Sequence, residues 1–224
     1  MPATKKRNSK KDHDTIIGRS HLTGYQDWPP PEHIYDHLKV FVDFINKHVA
    51  EGSILDLGCG DGSIDRILAD LSKCDITGSD LESHEQWKLK KPKNLHFTQA
   101  SILDLPFKAK SFDVVIIKDV LHHMPNPEKI VPEITKLARK QVLIIEANRY
   151  NPVSYVSMVK VAKHEHFSQK QLKKIVNQPN GQLITTETHV WPPRLKKPGK
   201  LVDVTFKLPL LKGIRNYNFF LFDV

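Results

Sequence analysis

Apolar residues follow two rhythms along this chain. From Glu32 to Val49 they recur at Ile34, Leu38, Phe41, Phe44, Ile45 and Val49, the spacing of one helix face. Short apolar runs of strand length then alternate with helical stretches. Ser53–Leu57 predicts a first strand, a helix runs from Ser63 to about Leu71, and a second strand covers Asp75–Ser79 and ends at Asp80. Asn94–Thr98 predicts a third strand. Val114–Ile117 is a continuous β-branched run, which suits a strand covered on both faces. Asn126 as N-cap and Pro127 at the first helical position open a helix expected to reach about Arg139, and Gln141–Glu146 forms a fifth strand. Later, Ser168 caps a helix ending near Val176, and Leu183–Trp191 and Tyr217–Val224 read as strands. This alternation predicts an α/β fold. Its sheet is open and mostly parallel, with an antiparallel C-terminal edge strand and helices on both faces.

Composition narrows the setting. A chain of 224 residues accommodates one domain, expected over residues 21–224, with a cap over the ligand site from residues 148–166 and 190–215. Residues 1–20 are polar and Lys-rich, and read as a disordered tail. No apolar run is long enough to span a bilayer, and no apolar stretch follows the Met1–Arg7 start as a signal peptide requires. Two cysteines, Cys59 and Cys74, are too few for a disulfide framework, so a reduced, cytoplasmic protein is expected. The net charge of +9 is uneven: +4 over residues 1–20, −3 over 21–149 and +8 over 150–224. The basic ends suit an anionic partner, including nucleic acid, or a solvated surface. Leu201–Ile214 mixes Lys207 and Lys212 with apolar residues and offers contact with a membrane surface, although Pro209 and Gly213 interrupt any long helix there.

The chemistry concentrates in Ile54–Gly62. An apolar run carrying Asp56 leads into glycines at positions 58, 60 and 62. That pattern reads as a strand feeding a tight turn whose backbone can lie against a nucleotide. A dinucleotide site wants G-x-G-x-x-G, but Ser63 stands where its third glycine belongs, and Asp56 would repel a pyrophosphate. An acid there suits a cationic ligand, and Asp80, about twenty residues on, is placed to hold ribose hydroxyls.

These residues, with four further segments in order, resemble a class I S-adenosylmethionine-dependent methyltransferase of the small-molecule type. The segments are Asp80-Leu81, Leu105-Pro106-Phe107, Ser111 through Val115, and Leu121 through Pro127. The resemblance covers roughly residues 33–150 and implies a Rossmann-like fold with S-adenosyl-L-methionine as cofactor. It implies cofactor contacts from Asp56, Gly58, Cys59, Gly60, Asp80 and Leu81. Ser101 takes the place where the family often has an acid or amide for the adenine, with Ile102 packing on the ring. Lys118 stands where the family offers a backbone carbonyl to the methionine ammonium.

Acceptor chemistry is expected beyond the fourth and fifth strands. His122 and His123 carry imidazoles able to act as base near neutral pH, with His123 preferred because that position is the more regular one in the family pattern. The Asn148-Arg149-Tyr150-Asn151-Pro152 segment resembles one seen in some of these enzymes, and makes Tyr150 a pocket or catalytic residue. Asn148, Arg149, Tyr25 and Trp28 are substrate candidates, against loop capping and anchoring of the first helix as plainer roles. His164-Glu165-His166 lacks a completing motif and reads as a polar surface turn; no metal is expected. The expected reaction is methyl transfer to a small-molecule or lipid-like acceptor, anionic in one version, with oxygen or carbon favoured because no D-P-P-Y- or N-P-P-Y-type motif follows the fourth strand. Methylation of RNA or protein, and a non-catalytic cofactor-binding subunit, are the alternatives; an NAD-dependent dehydrogenase is a weaker third.

Overall fold

The structure is a computed structural model that describes residues 28–49, 51–152, 155–161, 166–178, 181–185 and 214–224. Helix α1 (Glu32–His48) begins with an acid and ends with Lys47 and His48, a charge order that complements its dipole. Then come β1 (Ser53–Leu57), α2 (Ser63–Leu71), β2 (Asp75–Asp80), β3 (Leu95–Gln99), β4 (Phe112–Lys118), α3 (Pro127–Thr135) and β5 (Ala138–Ala147). Helix α4 (Gln169–Val176) and strands β6 (Gln182–Thr185) and β7 (Tyr217–Asp223) complete the described elements.

The seven strands form one sheet in the order β3-β2-β1-β4-β5-β7-β6. Strands β1 to β5 are mutually parallel, whereas β7 runs antiparallel to both β5 and β6 and carries the C-terminal side of the sheet. Alternate residues feed two cores. Ile54, Ile76, Val114, Leu143, Ile145 and Phe219 pack under α1 and α2. Leu55, Leu57, Val115, Ile117, Ile144 and Phe220 pack under α3 and α4. The first strand, both of its flanking helices and the α4 cap thus lie where the hydrophobic pattern puts them. Ser168 closes a full capping box with Gln171.

Two local expectations are corrected. Helix α3 stops at Thr135 rather than near Arg139. Ala138 already pairs with Phe112, and Arg139 is drawn to the sheet by Asp113, its Nε lying 3.1 Å from the Asp113 carboxylate. Strand β5 is correspondingly longer than its apolar stretch. Asn126 occupies the N-cap position, but its side chain makes no capping bond. The apolar segment after Pro152 winds as a π-helix over Tyr155–Val161, with Val156 59% exposed. Residues 1–27, including Tyr25, and residues 186–213, with most of the expected cap, lie outside the described residues.

Candidate active site at the carboxyl edge of the sheet

The turn after β1 is built by hydrogen bonds to the end of β2. The N–H groups of Gly58 and Cys59 both donate to the Ser79 carbonyl, at 2.7 and 3.1 Å. The Gly60 N–H donates to Asp80 Oδ2 at 2.8 Å, so the acid is fixed against the glycine backbone. Gly58 has φ +80° and a Cβ there would meet Val120 Cγ2 at 2.2 Å, so both conformation and space require glycine. Gly60, at φ +57°, has nothing within 4 Å of its missing side chain: the turn presents bare backbone to open space. Trp87 closes one side, donating from Nε1 to the Gly60 carbonyl at 3.0 Å and stacking on Phe97 at 5.0 Å.

Asp56 lies behind this turn, on the α2 face of β1. It is buried, and its Oδ1 has no hydrogen-bond partner among the described residues. Burial pushes its pKa from the ordinary 3.8 to about 6, against the lowering influence of a hydrogen bond with Asp65 and of the Lys118 charge. Asp65, on α2, is equally buried and is raised further by burial and by Asp56. Burial and mutual repulsion therefore oppose ionisation of both carboxyls together. Burial, and then the surrounding acids, push the Cys59 thiol up as well, so it is no thiolate. Burial opposes the charge of Lys118, but the adjoining Asp119 carboxylate more than reverses this. The Lys118 ammonium also sits over the rings of Phe41, at 4.6 Å, and Tyr217, at 5.3 Å. That contact sets its side chain against α1 and β7. Leu81 and Ile102 are half-buried, and Ser101 bridges Asp104 in the turn after β3. That turn is tied to β2 by the Ala100 N–H, which donates to the Asp80 carbonyl at 2.8 Å.

Across the sheet, on the α3 and α4 face, the residues after β4 meet Glu146 of β5. Glu146 is fully buried, with Oε1 accepting from the Val120 and Leu121 N–H groups at 3.2 and 2.7 Å. Its Oε2 lies 2.7 Å from His122 Nδ1. Burial lowers the basicity of His122, and the Glu146 bond and charge outweigh that, leaving its pKa raised. The His122 ring stands 4.0 Å from that of His123 and 4.7 Å from that of His166. His166 is only 3% exposed, which corrects the expectation of a surface turn; His164 and Glu165 lie outside the described residues.

The other acceptor-side candidates fare unevenly. Asn148 is buried and structural: its Nδ2 donates to the Arg215 carbonyl at 2.8 Å and its Oδ1 accepts from the Tyr150 N–H at 3.1 Å. Arg149 is half-buried, with its N–H donating to the Phe167 carbonyl. Tyr150 is 61% exposed and is not brought into the histidine cluster. Trp28 packs against the α1 core and under the Arg66 guanidinium at 5.6 Å, so it anchors the first helix rather than lining the histidine side. Glu146 and Asp65 were missed as site residues. A carboxylate ending the apolar run Val142–Ile145 was the available signal for Glu146.

The turn, its paired acid and the sheet order define the class. Residues 55–145 match the methyltransferase domain family. The ubiquinone biosynthesis O-methyltransferase of Psychrobacter arcticus is 30% identical over 129 residues, 52% of this chain and 48% of the relative. Phosphoethanolamine N-methyltransferase 2 of Caenorhabditis elegans is 27% identical over 155 residues, 65% of this chain and 35% of the relative. The chain thus matches about half the length of the first of these relatives. Among solved structures, geranyl diphosphate C-methyltransferase from Streptomyces coelicolor superposes with a TM-score of 0.60 at 13% identity, covering 83% of this chain and 78% of that one. Magnesium protoporphyrin IX methyltransferase from Synechocystis gives 0.57 at 14%, covering 96% and 94%. Both were crystallised with S-adenosylhomocysteine, and S-adenosylmethionine is the cofactor of this class. Among the described residues no helix is long and apolar enough to cross a membrane.

Proposed function

We propose that the protein transfers a methyl group from S-adenosylmethionine to an oxygen of a small-molecule acceptor. The observation that carries this is the Gly60 backbone, open above and hydrogen-bonded to Asp80, with the buried Asp56 behind it. Gly58, Cys59 and Gly60 would bear on the methionine portion of the cofactor and Asp80 on its ribose hydroxyls, with Leu81 and Ile102 flanking the adenine. Asp56, with its unpartnered oxygen, fits a cationic ligand and not a pyrophosphate. The bound cofactor supplies a methyl group already activated on a sulfonium, so the chain's own task is to position the acceptor and take its proton.

His123 is the base in this reading. It is half-buried beside the β4 end, whereas the His122 side chain is only 5% exposed and is engaged by Glu146. His123 would take the acceptor's proton while the methyl–sulfonium bond breaks in favour of the acceptor oxygen, with neutral S-adenosylhomocysteine as the leaving group. Arg149 stands ready for a carboxylate or phosphate on the acceptor. The O-methyltransferase names among the relatives support oxygen over carbon or nitrogen. Calorimetry with S-adenosylmethionine tests the donor site: absence of binding refutes the whole reading. Incubation of methyl-labelled cofactor with extracted metabolites and lipids tests the acceptor, and a labelled hydroxylated small molecule is expected. The charge of +8 over residues 150–224 favours a second reading, methylation of RNA, in which label would enter nucleic acid and binding would weaken steeply with salt.

A further inference from the structure

The methyl-transfer reading leaves unused a deeply buried group of ionisable residues on the α3 and α4 side of the sheet. His122, Glu146 and His166 each direct a ligand atom to one place, and those atoms all lie within 4.8 Å of one another. They arrive from three separate segments: the turn after β4, the end of β5 and the segment leading into α4. The side chains of His122 and Glu146 are 5% and 0% exposed, and His166 is 3% exposed as a residue. Bringing three ionisable groups together out of water is unfavourable unless something charged or strongly polar holds them.

A second observation stands beside this cluster. Asn218 of β7 is directly opposite Glu146 in the β5–β7 register, so both side chains leave the sheet on the same face. It is completely buried, and neither its Oδ1 nor its Nδ2 has a hydrogen-bond partner among the described residues. An amide left this way in a core is costly, and it asks for a ligand. Two imidazoles, one carboxylate and an amide oxygen are a donor set for a borderline divalent cation, and neither cysteine is placed in the cluster. Glu146 Oε1 is already anchored by the Val120 and Leu121 N–H groups, so the carboxylate is oriented before any ligand arrives.

We propose that His122, Glu146 and His166, with Asn218 alongside, form a binding site for a divalent transition metal of the zinc type. The metal would tie the turn after β4 and the segment before α4 to the sheet, taking the place of the His122–Glu146 contact. It would thereby fix the wall against which His123 stands. This site does not depend on the identity of the acceptor, and S-adenosylmethionine binding at the glycine turn reads the fold separately.

The test uses the untagged full-length protein, stripped with a chelator and titrated with Co2+ and then Zn2+. One equivalent of Co2+ should bind with a visible d–d absorption band, and Zn2+ should displace it. X-ray absorption of the zinc-loaded wild type should show nitrogen and oxygen scatterers at about 2.0–2.1 Å, including imidazole, and no sulfur. His166→Gln and Glu146→Gln should each weaken Zn2+ at least about tenfold while S-adenosylmethionine binding, measured by calorimetry, persists. If a variant loses cofactor binding, it has misfolded, and the wild-type spectrum decides alone. Failure of both metals to bind stoichiometrically, sulfur in the zinc shell, or unchanged affinity in folded variants would overturn the proposal.

Discussion

Replacing Asp56 with asparagine removes a carboxylate that the fold buries beside a second one, Asp65. Unfolded, Asp56 ionises near its ordinary 3.8; folded, it holds its proton until about pH 6. Between those values the folded state binds more protons, so this group makes stability fall as pH rises, with the full penalty present above about pH 6 and none below about pH 4. A displacement of about two units corresponds to on the order of 3 kcal/mol. The asparagine side chain would carry no such penalty, and its amide oxygen can still accept from a protonated Asp65. Asp56→Asn should therefore be more stable than the wild type at pH 8, by up to that amount, and by only about a third of it at pH 4.5. The same change should weaken S-adenosylmethionine if, as proposed, the buried negative charge behind the turn favours a cationic ligand. Urea unfolding at the two pH values and calorimetry with the cofactor measure both effects. A variant less stable than the wild type at pH 8, or a stability difference independent of pH, would refute the argument that burial of the Asp56 charge governs this site.

Asp80→Ala should lower cofactor affinity at least about tenfold, read by calorimetry, since it frees the Gly60 N–H as well as removing the ribose ligand. His123→Asn should reduce kcat about 100-fold or more with cofactor Kd unchanged; equal loss in both would make His123 structural. Gly62→Ala should destabilise by more than about 1 kcal/mol in denaturant titration, because Gly62 has φ +76° and a Cβ would fall 2.3 Å from the Phe97 ring. Ser168→Ala should cost about 1 kcal/mol, and Ser168→Asp should recover most of it, if the capping box holds α4 as described.

The glycine turn and its acid were largely legible in the sequence because local pattern determines them. Ile54 through Gly62 encode strand, turn and helix start within one window, and Asp80 ends a strand whose neighbour is β1. Asp65 escaped because a single acid early in an amphipathic helix reads as surface; only packing turns it toward Asp56. Glu146 and His166 escaped for a different reason. Their meeting is set by the crossover between β5 and α4, and nothing in either segment alone encodes the partner. The end of α3 was misplaced because Lys136–Arg139 has no breaker, and tertiary pairing with Phe112 and Asp113 recruits those residues into β5.

The antiparallel insertion of β7 has a consequence for the order of assembly. Strand β6 touches the parallel strands only through β7, and the pairing of Gln141 with Asp223 closes a loop of 82 residues. Strands β1 to β4 are joined by much shorter connections, so loop-closure entropy favours their formation first and the docking of β7 late. In the folded protein the same boundary separates two units of different resistance to opening. Exchange of β7 amides should run ahead of exchange in β1 and β4, with the half that carries the glycine turn staying closed while the half beside Glu146 opens.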